Sequence, residues 1–221
     1  MKTLAAILVQ TKNPLVLDEI EIPKLRKGQI LVKIHYSGIC GTQLNEIDGK
    51  KGEDKWLPHC LGHEAVGTVC ETGPGVSRMK VDDNVVLTWL RGEGIDAGGV
   101  QYGWRKSLVN AGPVTTFQEY AVVSESRVFT TGSSALTDMH VLMGCAAPTG
   151  MGAVRNVLRV QKGNSFLVFG SGGVGLCAIS MARKLGANPI IAVDISNERL
   201  KLAKSFGADI TVNLTSESIA D

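Results

Sequence analysis

The chain of 221 residues has no C-x-x-C pair, although it holds five cysteines, at positions 40, 60, 70, 145 and 177. An odd number without close pairs is not the disulfide framework of a small secreted domain. It fits a reducing cytoplasm, where each cysteine is either a small buried residue or a ligand. An excess of charge is also missing: 23 Lys and Arg against 21 Asp and Glu leave a net +2. That balance offers no electrostatic hold on nucleic acid or on an anionic membrane. No apolar run is long enough to span a bilayer. The first ten residues have only a short apolar core and no small-residue cleavage site after it. They read as a first β-strand rather than a signal peptide. Internal repeats and low-complexity tracts are absent too.

What is present centres on residues 165–194. The apolar run Phe166-Leu-Val-Phe169 meets glycines at 170, 172, 173 and 175. A segment of helical period follows, then Ile190-Ile-Ala-Val-Asp194. Strand, glycine turn, helix and strand in this order suit a dinucleotide. Gly170 permits the tight turn, Gly172 leaves the backbone open to a pyrophosphate, and Gly175 lets the helix pack close. The free N–H groups at the helix start favour phosphate charge. Asp194, nineteen residues after Gly175, is placed to accept a ribose 2′-OH and to repel a 2′-phosphate.

The front of the chain reads as short strands divided by Gly and Pro turns, at residues 4–10, 15–21 and 29–37, as in an antiparallel barrel or sandwich. Residues 42–48 suit a short helix. Residues 81–88, 115–123 and 127–129 return to strand character. Residues 89–114 are rich in glycine and show no clear period, so a long functional loop is expected. Trp89 and Trp104 within it suit core packing better than a pocket wall. Helices are expected at 133–143, with Ser133 or Ser134 as cap, and at 151–160, with residues 144–150 interrupting them. Ser196 is expected to cap a helix over 197–206, and a third strand begins at 210. A β-rich domain over 1–134 and an α/β domain over 135–221 follow.

Cys40, His63, Glu64 and Cys145 are the residues with metal chemistry. If they converge, two thiolates and an imidazole can bind Zn²⁺ and leave a fourth position open, as a catalytic site requires. Their separation in sequence leaves open the alternative of buried cysteines and a loop histidine.

These motifs resemble the zinc-dependent, medium-chain alcohol dehydrogenases. Gly62-His63-Glu64-x-x-Gly67-x-x-x-x-x-Gly73-x-x-Val76 is similar to the family's zinc signature. Gly38-Ile39-Cys40-Gly41-Thr42 resembles the loop of its first zinc cysteine, and Gly144-Cys145-x-x-x-Thr149-Gly150 the stretch of its last zinc ligand. The resemblance implies a GroES-like catalytic domain followed by a Rossmann domain. It implies one catalytic zinc on Cys40, His63 and Cys145, with Glu64 able to enter the shell. It places Thr42 as the hydroxyl that takes the substrate proton and Thr149 near the nicotinamide. NAD would lie on Gly170, Gly172, Gly173, Val174 and Gly175, with Asp194 and Arg199 at the ribose or a phosphate. The implied reaction is hydride transfer between a secondary alcohol or polyol and NAD, by a full-length homo-oligomer.

The chain also departs from the family. Gln43 stands where the family commonly has an outer-shell Asp, and Asn45 where many members end a proton relay with His. No cysteine occurs in residues 89–114, so no structural zinc is expected. The sheet of the second domain is only half represented, which reads as a fragment of a longer protein. Two other readings are a zinc-free, quinone-reductase-like member of the superfamily and a non-catalytic nucleotide-binding fragment.

Overall fold

The computed structural model describes residues 1–132 and 136–216. It divides into two compact units, Met1–Cys145 and Ala146–Asp221. The expected boundary after residue 134 borders residues outside the described set. The 3₁₀ segment Asp138–Gly144 falls in the first unit, where it packs against three of its strands.

Among the described residues the first unit has ten strands. β1 (Lys2–Leu8), β2 (Val16–Glu21), β3 (Gln29–Ser37), the short helix α1 (Gly41–Ile47), β4 (His59–Cys60), β5 (Ala65–Thr72) and β6 (Asn84–Leu87) come first. β7 (Val100–Trp104), β8 (Ser107–Ala111), β9 (Tyr120–Ser124) and β10 (Val128–Thr130) complete it. Strands 1, 2, 7, 8 and 4 close a barrel, and strands 10, 6, 5, 3 and 9 form a five-stranded sheet. The alternation in β1 explains its seat. Ala5 and Ile7 point into the barrel core with Ile20, Cys60 and Tyr102, while Lys2 and Leu4 face out. Cys60 packs into this core at 3% exposure, and burial pushes its thiol up to about 12.

Residues 89–114 are not one long loop. β7 and β8 form a hairpin in register from Val100↔Ala111 to Trp104↔Ser107. Val100, Tyr102 and Trp104 alternate inward, a period of two hidden by the glycines around it. Trp104 joins the core and donates Nε1–H to Asp18 at 2.9 Å, as its core reading expected. Trp89 is exposed. The segment before the hairpin is held by Glu125, whose carboxylate accepts backbone N–H groups of Ser77, Arg78 and Ile95 at 2.8–2.9 Å.

In the second unit, α2 (Ala146–Gly152) starts where an interruption was expected and runs into a π-helical turn, Ala153–Val157. Pro148 is its third residue, in the first turn, where the missing N–H costs no helical hydrogen bond. The caps expected at residues 133 and 134 lie outside the described residues. β11 (Phe166–Phe169), α3 (Gly173–Lys184), β12 (Ile190–Asp194), α4 (Asn197–Phe206) and β13 (Ile210–Asn213) follow. The three strands are parallel, in sequence order. Ile179, Ala182, Ile190, Ala192 and Ala203 fill the space between sheet and helices. Ser196 caps α4, and Gly207 ends it in the left-handed region at φ 116°. The architecture is the α/β one expected: a GroES-like β domain and part of a Rossmann sheet. Among the described residues no helix is long and apolar enough to cross a membrane.

Candidate metal centre and dinucleotide turn

Three turns of the first unit bring the metal candidates together. Cys40 stands just before α1, His63 and Glu64 lead into β5, and Cys145 follows the 3₁₀ segment. The thiol sulfurs of Cys40 and Cys145 and a ring nitrogen of His63 lie within 4.8 Å of one another. The Glu64 carboxylate is not among the donors within that span. Glu64 is buried, and its side chain fills the space left by two glycines that precede the cysteines. A Cβ on Gly38 would stand 2.6 Å from Glu64 Oε1, and one on Gly144 would stand 2.8 Å from Glu64 Cβ and 2.4 Å from the Leu87 carbonyl.

His63 has its two nitrogens in different settings. Nδ1 lies 2.5 Å from Gln43 Nε2. Nε2 is buried and has no hydrogen-bond partner among the described residues. Burial, helped by the nearby charge of Lys51, holds the imidazole below its ordinary pKa against the pull of Glu46. The neutral ring that results is the form with a lone pair for a metal. Two thiols and an orphaned imidazole nitrogen are a donor set that suits Zn²⁺.

A cavity of about 860 Å³ opens beside these residues within the first unit. Thr42, Gln43 and His63 line one part, and Glu46, His59 and Trp56 another. Thr42 Oγ1 lies 3.7 Å from Cys40 Sγ. Thr42 and Glu46 are four residues apart on α1 and so share a face. Asn45 is exposed and does not line the cavity. A second convergence was missed in the sequence. Glu46, Asp54 and His59 bring ligand atoms within 4.8 Å of one another. His59 Nε2 lies 2.7 Å from Asp54 Oδ2, and Lys51 pairs with Glu46 at 3.2 Å.

In the second unit the glycine turn has the shape a dinucleotide needs. Gly170 adopts φ 92°, and a Cβ on Gly175 would stand 1.9 Å from the Gly170 carbonyl. A Cβ on Gly172 would meet nothing within 4 Å, so the turn is open on that side. Gly173 and Val174 begin α3, whose first N–H groups have no helical acceptors. Asp194 is buried and engaged: Oδ2 accepts Ser171 N–H at 2.7 Å, and Oδ1 accepts Ile195 and Ser196 N–H at 2.8 and 2.9 Å. Burial opposes its charge, but the three donors and the positive charge of Arg199 outweigh it and hold the carboxyl below its usual range. Arg199 and Thr149 are exposed.

Residues 26–133 match the family described as the alcohol dehydrogenase GroES-like domain, and residues 173–221 match zinc-binding dehydrogenase. The chain belongs to the medium-chain dehydrogenase/reductase family. S-(hydroxymethyl)glutathione dehydrogenase of Photobacterium damsela subsp. piscicida is 33% identical, over 96% of this chain and 64% of its own length. The Synechocystis enzyme of that name is 32% identical over the same shares. Among solved structures, benzyl alcohol dehydrogenase from Acinetobacter calcoaceticus has a TM-score of 0.85 at 29% identity, over 99% of this chain and 65% of its own. An alcohol dehydrogenase zinc-binding domain protein from Burkholderia ambifaria has 0.83 at 30%, over 100% and 66%. The chain thus spans about 64% of the length of the curated relatives it matches.

Proposed function

We propose that this chain is the metal-holding domain and the first part of the dinucleotide domain of an alcohol dehydrogenase. The reaction is hydride transfer between a secondary alcohol or polyol and NAD. The observation that carries the reading is the convergence of Cys40, His63 and Cys145 with a buried, unpartnered His63 Nε2. The names of its relatives, dehydrogenases of S-(hydroxymethyl)glutathione and of benzyl alcohol, support alcohol chemistry.

Cys40, His63 and Cys145 would hold the zinc, with Glu64, the residue after His63, as the carboxylate that would enter the shell when the water leaves. Zinc, when bound, acts as a Lewis acid on the substrate oxygen, and NAD accepts or returns the hydride. Thr42 presents its hydroxyl to the cavity and takes the proton that the alcohol loses. The first N–H groups of α3, with Gly172, Gly173 and Val174, would hold the pyrophosphate. Asp194 would accept the ribose 2′-OH, and its charge would disfavour the 2′-phosphate of NADP. Arg199 stands within reach of the ribose or a phosphate, and Thr149 borders the nicotinamide. The site takes one zinc. Residues 89–114, having no cysteine, hold no second one.

Metal analysis of the purified protein tests the reading. Stoichiometric zinc is expected in the wild type and is lost in Cys40→Ser and Cys145→Ser. Turnover on a panel of secondary alcohols and polyols should proceed with NAD and poorly with NADP. Protein purified from zinc-supplemented growth that carries no zinc would return the chain to the zinc-free reading. Bound zinc and NAD without turnover by the full-length gene product would favour the non-catalytic one.

A further inference from the structure

Gln43 stands where the family this chain resembles commonly has an outer-shell Asp, and it is almost completely buried, at 3% exposure. Its amide touches two of the three residues of the candidate metal centre. Oε1 accepts the backbone N–H of Cys40 at 3.1 Å, and Nε2 lies 2.5 Å from His63 Nδ1. The two contacts fix each other. While Oε1 serves Cys40, the group turned toward His63 is an NH₂, which can only donate. Nδ1 must then accept, and in the neutral ring the hydrogen resides on Nε2. Nε2 is the nitrogen with no other partner, and it is the one left for a metal.

A metal at Nε2 needs the opposite tautomer, with the hydrogen on Nδ1 and an acceptor facing it. Gln43 can supply that acceptor only by turning its amide. The turn brings Oε1 to Nδ1–H and points the NH₂ at the Cys40 N–H, so the Cys40 contact is lost. Water moves one hydrogen from Nε2 to Nδ1, and the charge of the ring is unchanged. A carboxylate at this position would avoid the conflict, since one oxygen can accept Cys40 N–H while the other accepts Nδ1–H.

Resting on the zinc site proposed above, we propose that Gln43 is a positioning residue that holds His63 in the tautomer unfit for metal. Metal capture is then coupled to a turn of the Gln43 amide and to release of the Cys40 backbone. The chain binds zinc less tightly than its donor set alone would allow.

Competition against a chelating dye measures zinc affinity in the wild type, Gln43→Glu and Gln43→Leu, with circular dichroism as the check on folding. Gln43→Glu should bind zinc roughly 10-fold or more tightly than the wild type, within the range that outer-shell changes produce, and Gln43→Leu more weakly. A role confined to packing gives the other sign, because Gln43→Glu would then only bury a charge. Equal or weaker binding by folded Gln43→Glu overturns the proposal. Long-range ¹H–¹⁵N spectra of the metal-free wild type read the ring without any metal. They should show His63 protonated at Nε2, and a shift to Nδ1 on adding zinc. An Nδ1–H ring before zinc is added also overturns it. If the wild type binds no zinc yet shows the Nε2–H ring, the zinc reading fails while the Gln43–His63 contact stands. The coupling to metal capture fails with that reading.

Discussion

Asp194 accepts the backbone N–H of Ser171 at 2.7 Å, so the acid that ends β12 ties down the glycine turn that follows β11. The same carboxylate that faces the ribose in the proposed function also shapes the phosphate loop. Specificity and loop geometry therefore fail together when it is changed.

Asp194→Asn loses a charge-assisted set of three hydrogen bonds, and its NH₂ meets a backbone donor. A loss of about 1.5–3 kcal/mol is expected from unfolding curves. NAD titration should weaken by roughly 10-fold or more, with NADP weakened less, so that the preference narrows. Unchanged stability would show that the turn stands without its acid.

Glu125 predicts a pH dependence. Burial opposes its charge, but three backbone donors, from Ile95, Ser77 and Arg78, with the charge of Arg78, hold its pKa below 4.5, the ordinary value. A carboxyl depressed in the folded state contributes stability above its unfolded pKa. That contribution is lost as pH falls below 4.5 and through the lower folded value. Glu125→Gln should cost about 1–3 kcal/mol at neutral pH and flatten the acid limb of the stability curve. Denaturant titrations at a series of pH values below 5 and at pH 7 check it.

Gly144→Ala and Gly38→Ala both press on Glu64. The first also meets the Leu87 carbonyl at 2.4 Å, where backbone cannot yield, whereas the second meets a carboxylate at 2.6 Å. Overpacking of this kind costs about 1–3 kcal/mol, and Gly144→Ala should be the worse of the two. Both variants should lose zinc affinity, because each glycine sits one or two residues before a ligand cysteine. Equal thermal stability of the pair would show that Glu64, not Leu87, sets the constraint.

Tyr102 is the largest fully buried side chain, and its hydroxyl oxygen accepts Gln118 Nε2–H at 3.0 Å and Val122 N–H at 2.8 Å. Tyr102→Phe keeps the volume, strands the Val122 N–H and removes one acceptor of Gln118 Nε2, which keeps its contacts with Thr115 at 3.2 and 3.4 Å. About 1–3 kcal/mol is expected from chemical denaturation, with faster exchange of the Val122 amide as the local signature.

Much of this was legible in the chain itself because it depends on local pattern. The alternation of Lys2 to Leu8 specifies a one-faced strand. Gly170 to Gly175 with Asp194 specifies a turn whose steric demands admit little but glycine. The hairpin at 100–111 was hidden because glycines on both sides dilute its period of two. The helix through Pro148 was hidden because a proline reads as a break unless its place in the first turn is known.

The chemistry available is written in the chain: two thiols, an imidazole, an acid and an open glycine turn, in an order that resembles one family. How those groups meet depends on the folding of distant segments onto one another. Residues 40, 63 and 145 are far apart along the chain, and no local rule brings their atoms within 4.8 Å. The structure also gave Gln43 its place between Cys40 and His63. A side chain's composition states what it can donate or accept, but only packing states which partner it faces.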